Sequence, residues 1–195
     1  MVEGTLAGLG AGIIATGKVE QDKSCSRAPV LELRNEDNEL IDIALVDLAV
    51  VDARDTGARA IWDPTSIREL FLTRAHPAEI GLSSIGGWLD PITKPGEAGL
   101  YIQLGDEGTT QLSAPIAPGL ITPVKVITHR RFDESTPLPI SYTPSTIALD
   151  GEREVVLRKG DKMTVHFNRQ GPLVVNLEKT LVEAAKAGLM NNITT

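Results

Sequence analysis

The sequence predicts a mainly β fold with about three flanking helices. Only 4% of the 195 residues are aromatic while Gly reaches 18 and Pro 12, so the core is aliphatic and the chain turns often. After Leu100 short apolar runs alternate with turn signals, the rhythm of hairpins in a sandwich or barrel. Helical spacing is confined to three segments near residues 2–15, 63–75 and 176–187.

Taken in order, Val2 to Ala15 reads as a small-residue helix stopped by Gly17. Val30–Leu33 and Leu40–Val51 are partly β-branched runs around the turn-forming Asn35-Glu36-Asp37-Asn38, which predicts a strand pair with the second run buried on both faces. Asp63-Pro64 opens a predicted helix, because Asp accepts from free backbone N–H groups and Pro lacks the donor that the first turn does not need. Ile67, Leu70, Phe71 and Arg74 continue it at helical spacing. The Gly- and Pro-rich stretch from His76 to Gly99 reads as loop, densest at Gly81-Leu82-Ser83-Ser84-Ile85-Gly86-Gly87.

Strands are then expected at Leu100–Leu104, Gln111–Ala114, Val124–His129, Ser141–Tyr142, Thr146–Leu149, Val155–Leu157, Met163–Phe167 and Leu173–Val175. Asp150-Gly151 is a two-residue hairpin signal, which alone is a structural one. Asn176 caps the last helix, with Leu177, Leu181, Ala184 and Ala185 on one face and Gly188 at its end.

Composition bounds the function. A formal charge of −7 argues against broad affinity for nucleic acid or anionic membranes, so any nucleotide is held locally. One cysteine, Cys25, excludes an internal disulfide and a Cys-Cys zinc motif. The apolar run Leu6–Ile14 is preceded by Glu3 and no basic residue, and is too short to span a bilayer. The expectation is a cytoplasmic protein.

Most motifs carry little chemistry alone. Gly8-Leu9-Gly10-Ala11-Gly12 lacks both the preceding strand and the third glycine of a dinucleotide fingerprint. His76, His129 and His166 have no paired metal-ligand spacing. Ser83-Ser84 beside Gly86-Gly87 couples hydroxyls to a backbone that can approach a ligand closely, although a tight turn uses the same residues. Ala114-Pro115-Ile116-Ala117-Pro118-Gly119 marks irregular backbone at a strand end.

In order, several motifs say more. Ala44-Leu45-Val46-Asp47, Gly57-Ala58-Arg59-Ala60-Ile61-Trp62, Ile80 to Gly87, Ser113 to Gly119, Thr146 to Glu154, Gly160-Asp161 and Gly171-Pro172 together resemble the C-terminal domain of the ATP-NAD kinase superfamily, and within it the AcoX-like branch named for acetoin catabolism. The resemblance covers nearly the whole chain. It implies one domain over 1–195, an NAD kinase C-terminal-like β-sandwich, with segments 1–17 and 176–195 facing an N-terminal α/β domain. That domain carries the family's Gly-Gly-Asp-Gly phosphate loop, which this sequence does not contain.

Residue by residue, the family's NAD-contacting Asn-Glu pair falls on Val46-Asp47, which keeps the carboxylate and loses the amide. Its Thr-Ala-Tyr-Ser stretch falls on Glu79-Ile80-Gly81-Leu82 and keeps neither the aromatic nor the hydroxyls. Ser84, Gly86 and Gly87 carry over, and with Asp47 and Ser83 they form the implied nucleotide-binding set. ATP and Mg²⁺ are the implied donor and metal, and NAD a possible acceptor. The implied partners are an N-terminal α/β domain or chain and further copies of the same chain, and the chain alone is expected to be inactive. Two other readings stay open, a non-catalytic ligand-binding or self-associating β-sandwich and a lipid kinase-like domain.

Overall fold

The computed structural model describes residues 4–52 and 64–191. In chain order these form α1 (Gly4–Ala15), α2 (Gln21–Ser24), β1 (Cys25–Arg27), β2 (Val30–Asn35), β3 (Leu40–Ala44), β4 (Asp47–Asp52) and β5 (Ile67–Leu72). There follow α3 (Ser83–Leu89), β6 (Gly99–Leu104), β7 (Thr110–Ala117), β8 (Leu120–Phe132) and β9 (Leu138–Pro139). The last elements are β10 (Ser145–Leu149), β11 (Arg153–Leu157), β12 (Met163–Asn168), β13 (Leu173–Val175) and α4 (Leu177–Lys186). They fall into two compact units, Met1–Ala28 with Gly171–Thr195, and Pro29–Gln170.

The larger unit is two antiparallel sheets, one of seven strands in the order β11-β10-β4-β5-β6-β8-β7 and one of four in the order β3-β2-β12-β9. Side chains alternate between the faces of a strand, and β4 shows it plainly. Leu48 and Val50 join Phe71, Tyr101 and Ile147 in a core shared with Leu31, Leu33, Val165 and Phe167 of the smaller sheet. Ala49 and Val51 point the other way, into a second core closed by Ile85 of α3 and by Ala114, Val124 and Val126 of the β7–β8 hairpin. The chain's three phenylalanines meet in the first core, Phe132 lying 6.1 Å from both Phe71 and Phe167.

Glu69 carries a carboxyl group into this interior. Glu69 is 1% exposed, and its carboxylate accepts from the Tyr101 hydroxyl at 2.9 Å and from the amides of Ser141 and Tyr142 at 3.0 and 3.2 Å. Three donors satisfy oxygens that would otherwise be costly to bury, and they dock the 140–142 segment on β5. Burial, helped by Glu69, drives the Tyr101 phenol well above its ordinary value.

In the smaller unit α1 packs on α4 through Leu9, Ile13, Leu181 and Ala184, while β1 pairs with β13. Gly10 faces this contact: a Cβ there would lie 2.5 Å from Leu177 Cδ1, the mobile end of a side chain that would have to shift. The Asn176 side chain accepts from the Lys179 amide at 3.0 Å and caps α4 as expected. No described helix is long and apolar enough to cross a membrane.

The structure corrects the reading in four places. The helix expected over 63–75 is a single 3-10 turn at Pro64–Ser66 followed by β5; Asp63 lies outside the described residues. The start signal yields one turn, but Ile67, Leu70, Phe71 and Leu72 are buried on both faces of a central strand, where continuous apolar runs belong and helical spacing is coincidental. Leu40–Val51 divides at Leu45-Val46 into β3 and β4, which lie in different sheets. The Ser141–Tyr142 strand is replaced by Leu138–Pro139. Ser83–Gly87 belongs to helix α3 rather than to a loop.

Candidate functional site

A cluster of polar residues lies at one end of the seven-stranded sheet, where β4 begins and β5 and β10 end. Register brings them together, since Asp47 pairs with Leu72 and Leu48 with Leu149. Asp150 and Gly151 then turn the chain with φ of 53° and 69°, the left-handed pair a tight hairpin needs and which Asp and Gly tolerate.

That turn aims the Asp150 carboxylate back at the strand switch. It accepts from the amides of Leu45 at 2.8 Å, Val46 at 2.7 Å and Asp47 at 3.3 Å. Thr73, just past β5, holds the opposite side of the same segment: its hydroxyl donates to Leu45 O at 2.6 Å and its amide to Val46 O at 2.9 Å. Arg153 completes the frame, with Nε 3.3 Å from Asp42 and Nη2 3.7 Å from Asp150. Asp150 is therefore a fixed acceptor with its lone pairs engaged.

Asp47 is the group left to act. It is half-buried at the start of β4, and burial first, then the charge of Asp150, pushes its carboxyl up to about 6, with Arg74 opposing. A carboxylate that titrates near neutrality is a mark of functional positions. Arg74 pairs with Glu79 at 3.2 Å, and the other Glu79 oxygen is buried with no hydrogen-bond partner.

Of the residues singled out in the sequence, Asp47 lies at this edge, whereas Ser83, Ser84, Gly86 and Gly87 are buried in α3. The Ser84 hydroxyl donates to Gly81 O at 2.7 Å and reaches Pro115 O at 3.2 Å. A Cβ on Gly86 would lie 2.6 Å from Leu72 Cδ1 and 2.9 Å from both Ala75 Cβ and Leu100 Cδ2. On Gly87 it would meet the His76 carbonyl oxygen at 2.5 Å. The two glycines let α3 sit against the chain that carries Thr73 and Arg74. Thr73, Arg74 and the reach of Asp150 were not visible in the sequence, because each depends on strand pairing across many intervening residues.

A family model, the acetoin catabolism protein X C-terminal domain, matches residues 29–170, the same span as the two-sheet unit. The chain belongs to this family. It is also 33% identical over 198 residues to acetoin catabolism protein X of Cupriavidus necator, a match covering 99% of this chain and 55% of that relative. The chain thus spans about half the length of the curated relative it matches. Asp47, Thr73, Arg74, α3 and Asp150 all fall inside the matched domain.

Proposed function

We propose that this chain is the nucleotide-binding β-domain of an ATP-NAD kinase-like phosphotransferase of the acetoin catabolism protein X family, and that Asp47 contacts the hydroxyl-bearing acceptor, NAD or a related nucleotide. The observation that carries the reading is the built edge itself. Asp150 and Thr73 spend their hydrogen bonds on fixing Leu45–Asp47, which leaves one oriented carboxylate at a sheet end.

Ionised Asp47 can accept from neighbouring hydroxyls of a ribose, an acceptor-only role that the protonated acid fills less well. Arg74 sits close enough to favour the ionised form. Ser83, Ser84, Gly86 and Gly87 act on this reading from behind, seating α3 beneath the segment that presents Arg74. In phosphoryl transfer such positioning is much of the catalysis, so a domain without a nucleophile can be essential.

The donor side fits this chain poorly. Among the described residues no three His, Cys, Asp or Glu side chains group to hold a metal ion, and Asp150 is already engaged. ATP and Mg²⁺ are assigned to an α/β partner domain, or to its junction with this one, and the chain alone is expected to bind an acceptor without turning it over. A lone Asp47 carboxylate could add one ligand to a Mg²⁺ carried mainly on polyphosphate.

Calorimetric titration of NAD into the chain and into Asp47→Asn tests the reading. Binding weakened at least tenfold by the substitution supports it, and equal affinity, or no affinity in either protein, contradicts it.

A further inference from the structure

The end of the seven-stranded sheet opposite Asp47, where β5 begins and β6 ends, holds a cavity of about 400 Å³. Its most deeply buried lining residue is Glu69, only 1% exposed. A carboxylate offers about four lone-pair positions, and the Tyr101 hydroxyl and the Ser141 and Tyr142 amides take three of them. One acceptor position stays open. The Gln103 amide and the Ser141 hydroxyl line the same cavity, and neither side chain makes a hydrogen bond among the described residues.

The bases around this cavity are already matched. Arg68 lies over the Tyr142 ring, 5.7 Å from its centroid, and faces Asp52 at 3.6 Å. Lys125 stands 3.6 Å from Asp106. That leaves Glu69 in the interior and Glu107, exposed on the turn after β6, without a basic partner among the described residues. Glu107 Oε2 lies 3.4 Å from where a Cβ on Gly105 would stand, and Ile127 Cδ1 lies 2.9 Å from the same point, so a larger residue there would crowd the lining beside Glu107. Leu104 and Ile127 make part of the lining apolar. Among the described residues no three His, Cys, Asp or Glu side chains group to hold a metal ion, so a single compact cation is a poor match. A chain with a donor at each end and methylenes between them is a good one.

We propose that this cavity binds a small aliphatic diamine, one ammonium group donating to Glu69 and the Gln103 amide oxygen, the other pairing with Glu107, and the methylenes lying against Leu104 and Ile127. An ammonium group has three donors and no acceptor, which suits a carboxylate, an amide oxygen and a hydroxyl oxygen lining one cavity. Glu69 stands three positions along β5 from Leu72, the residue opposite Asp47, about 10 Å at the usual rise of a strand. The site is therefore independent of the acceptor reading.

Calorimetric titration of putrescine, butylamine and butanediol into the chain at low salt tests it, with amide chemical-shift mapping to locate the site. Putrescine is expected to bind about fivefold more tightly than butylamine, the factor that an exposed ion pair supplies. Butanediol should not bind, and the shifts should centre on 103–107 and 141–142. Glu107→Gln, a change at an exposed side chain, should bring putrescine to the level of butylamine, and Glu107→Lys should weaken it further. Melting curves establish that both variants fold. Failure of putrescine to bind, equal affinity of the two amines, an affinity that Glu107→Gln leaves intact, or shifts centred elsewhere overturns the proposal. So does displacement of putrescine by Mg²⁺ at equal concentration, which would assign the lining to a metal ion.

Discussion

Asp150 and Val46 are 104 residues apart in sequence, yet the Asp150 carboxylate accepts the Val46 amide at 2.7 Å. This bond, with its neighbour to Leu45, ties the hairpin after β10 to the point where the chain leaves the four-stranded sheet for the seven-stranded one. The sheet end that carries Asp47 is held in place because these two segments are locked together.

Removing that lock has a measurable cost. Asp150→Ala leaves the Leu45 and Val46 amides without their charged acceptor and also forces alanine into a left-handed turn, for a loss of about 2–4 kcal/mol in denaturant unfolding. Asp150→Asn keeps one acceptor and tolerates the positive φ, and should cost about half as much. In that variant the Asp47 carboxyl, relieved of a neighbouring charge, should titrate lower than in the parent.

The pH dependence has a definite sign. Native Asp47 holds its proton up to about pH 6, whereas an ordinary aspartate releases it near 3.8. Between those values the folded state binds more protons than the unfolded one. The stabilisation is complete below about pH 4 and is lost as pH rises through 6. Relative to Asp47→Asn, the parent should therefore lose about 2 kcal/mol between pH 4 and 7. Acceptor binding should run the other way and strengthen above pH 6 as the carboxylate ionises.

The two glycines of α3 should separate in cost. A methyl on Gly86 meets mostly the mobile ends of Leu72 and Leu100, whereas one on Gly87 meets the His76 and Pro77 backbone. Gly86→Ala is expected to cost about 1–2 kcal/mol and Gly87→Ala about 3 kcal/mol or more. Ser84→Ala, which removes the bonds to Gly81 and Pro115, should cost about 1 kcal/mol. Thermal melts of the three variants check the order.

Much of the β architecture was legible, because β10 to β12 alternate with turns that local residues specify, such as Asp150-Gly151 and Lys159-Gly160-Asp161. The central strand β5 was not. Burial on both faces erases the alternation that marks a strand, and Asp63-Pro64 supplied a helix start that governs only one turn. α3 was hidden for the opposite reason: two glycines and two serines are poor helix formers, the glycines standing where tertiary packing leaves little room for a Cβ. At the candidate site, Asp47 could be picked out by its place in a motif. The roles of Thr73, Arg74 and Arg153 arise only from register.

The most direct test of the account is amide chemical-shift mapping of the isotope-labelled chain during a titration with NAD at pH 7.5. Shifts are expected to concentrate at Leu45, Val46, Asp47, Thr73, Arg74 and Asp150 and to vanish in Asp47→Asn. Shifts centred on any other part of the sandwich, or none at millimolar NAD, would contradict it.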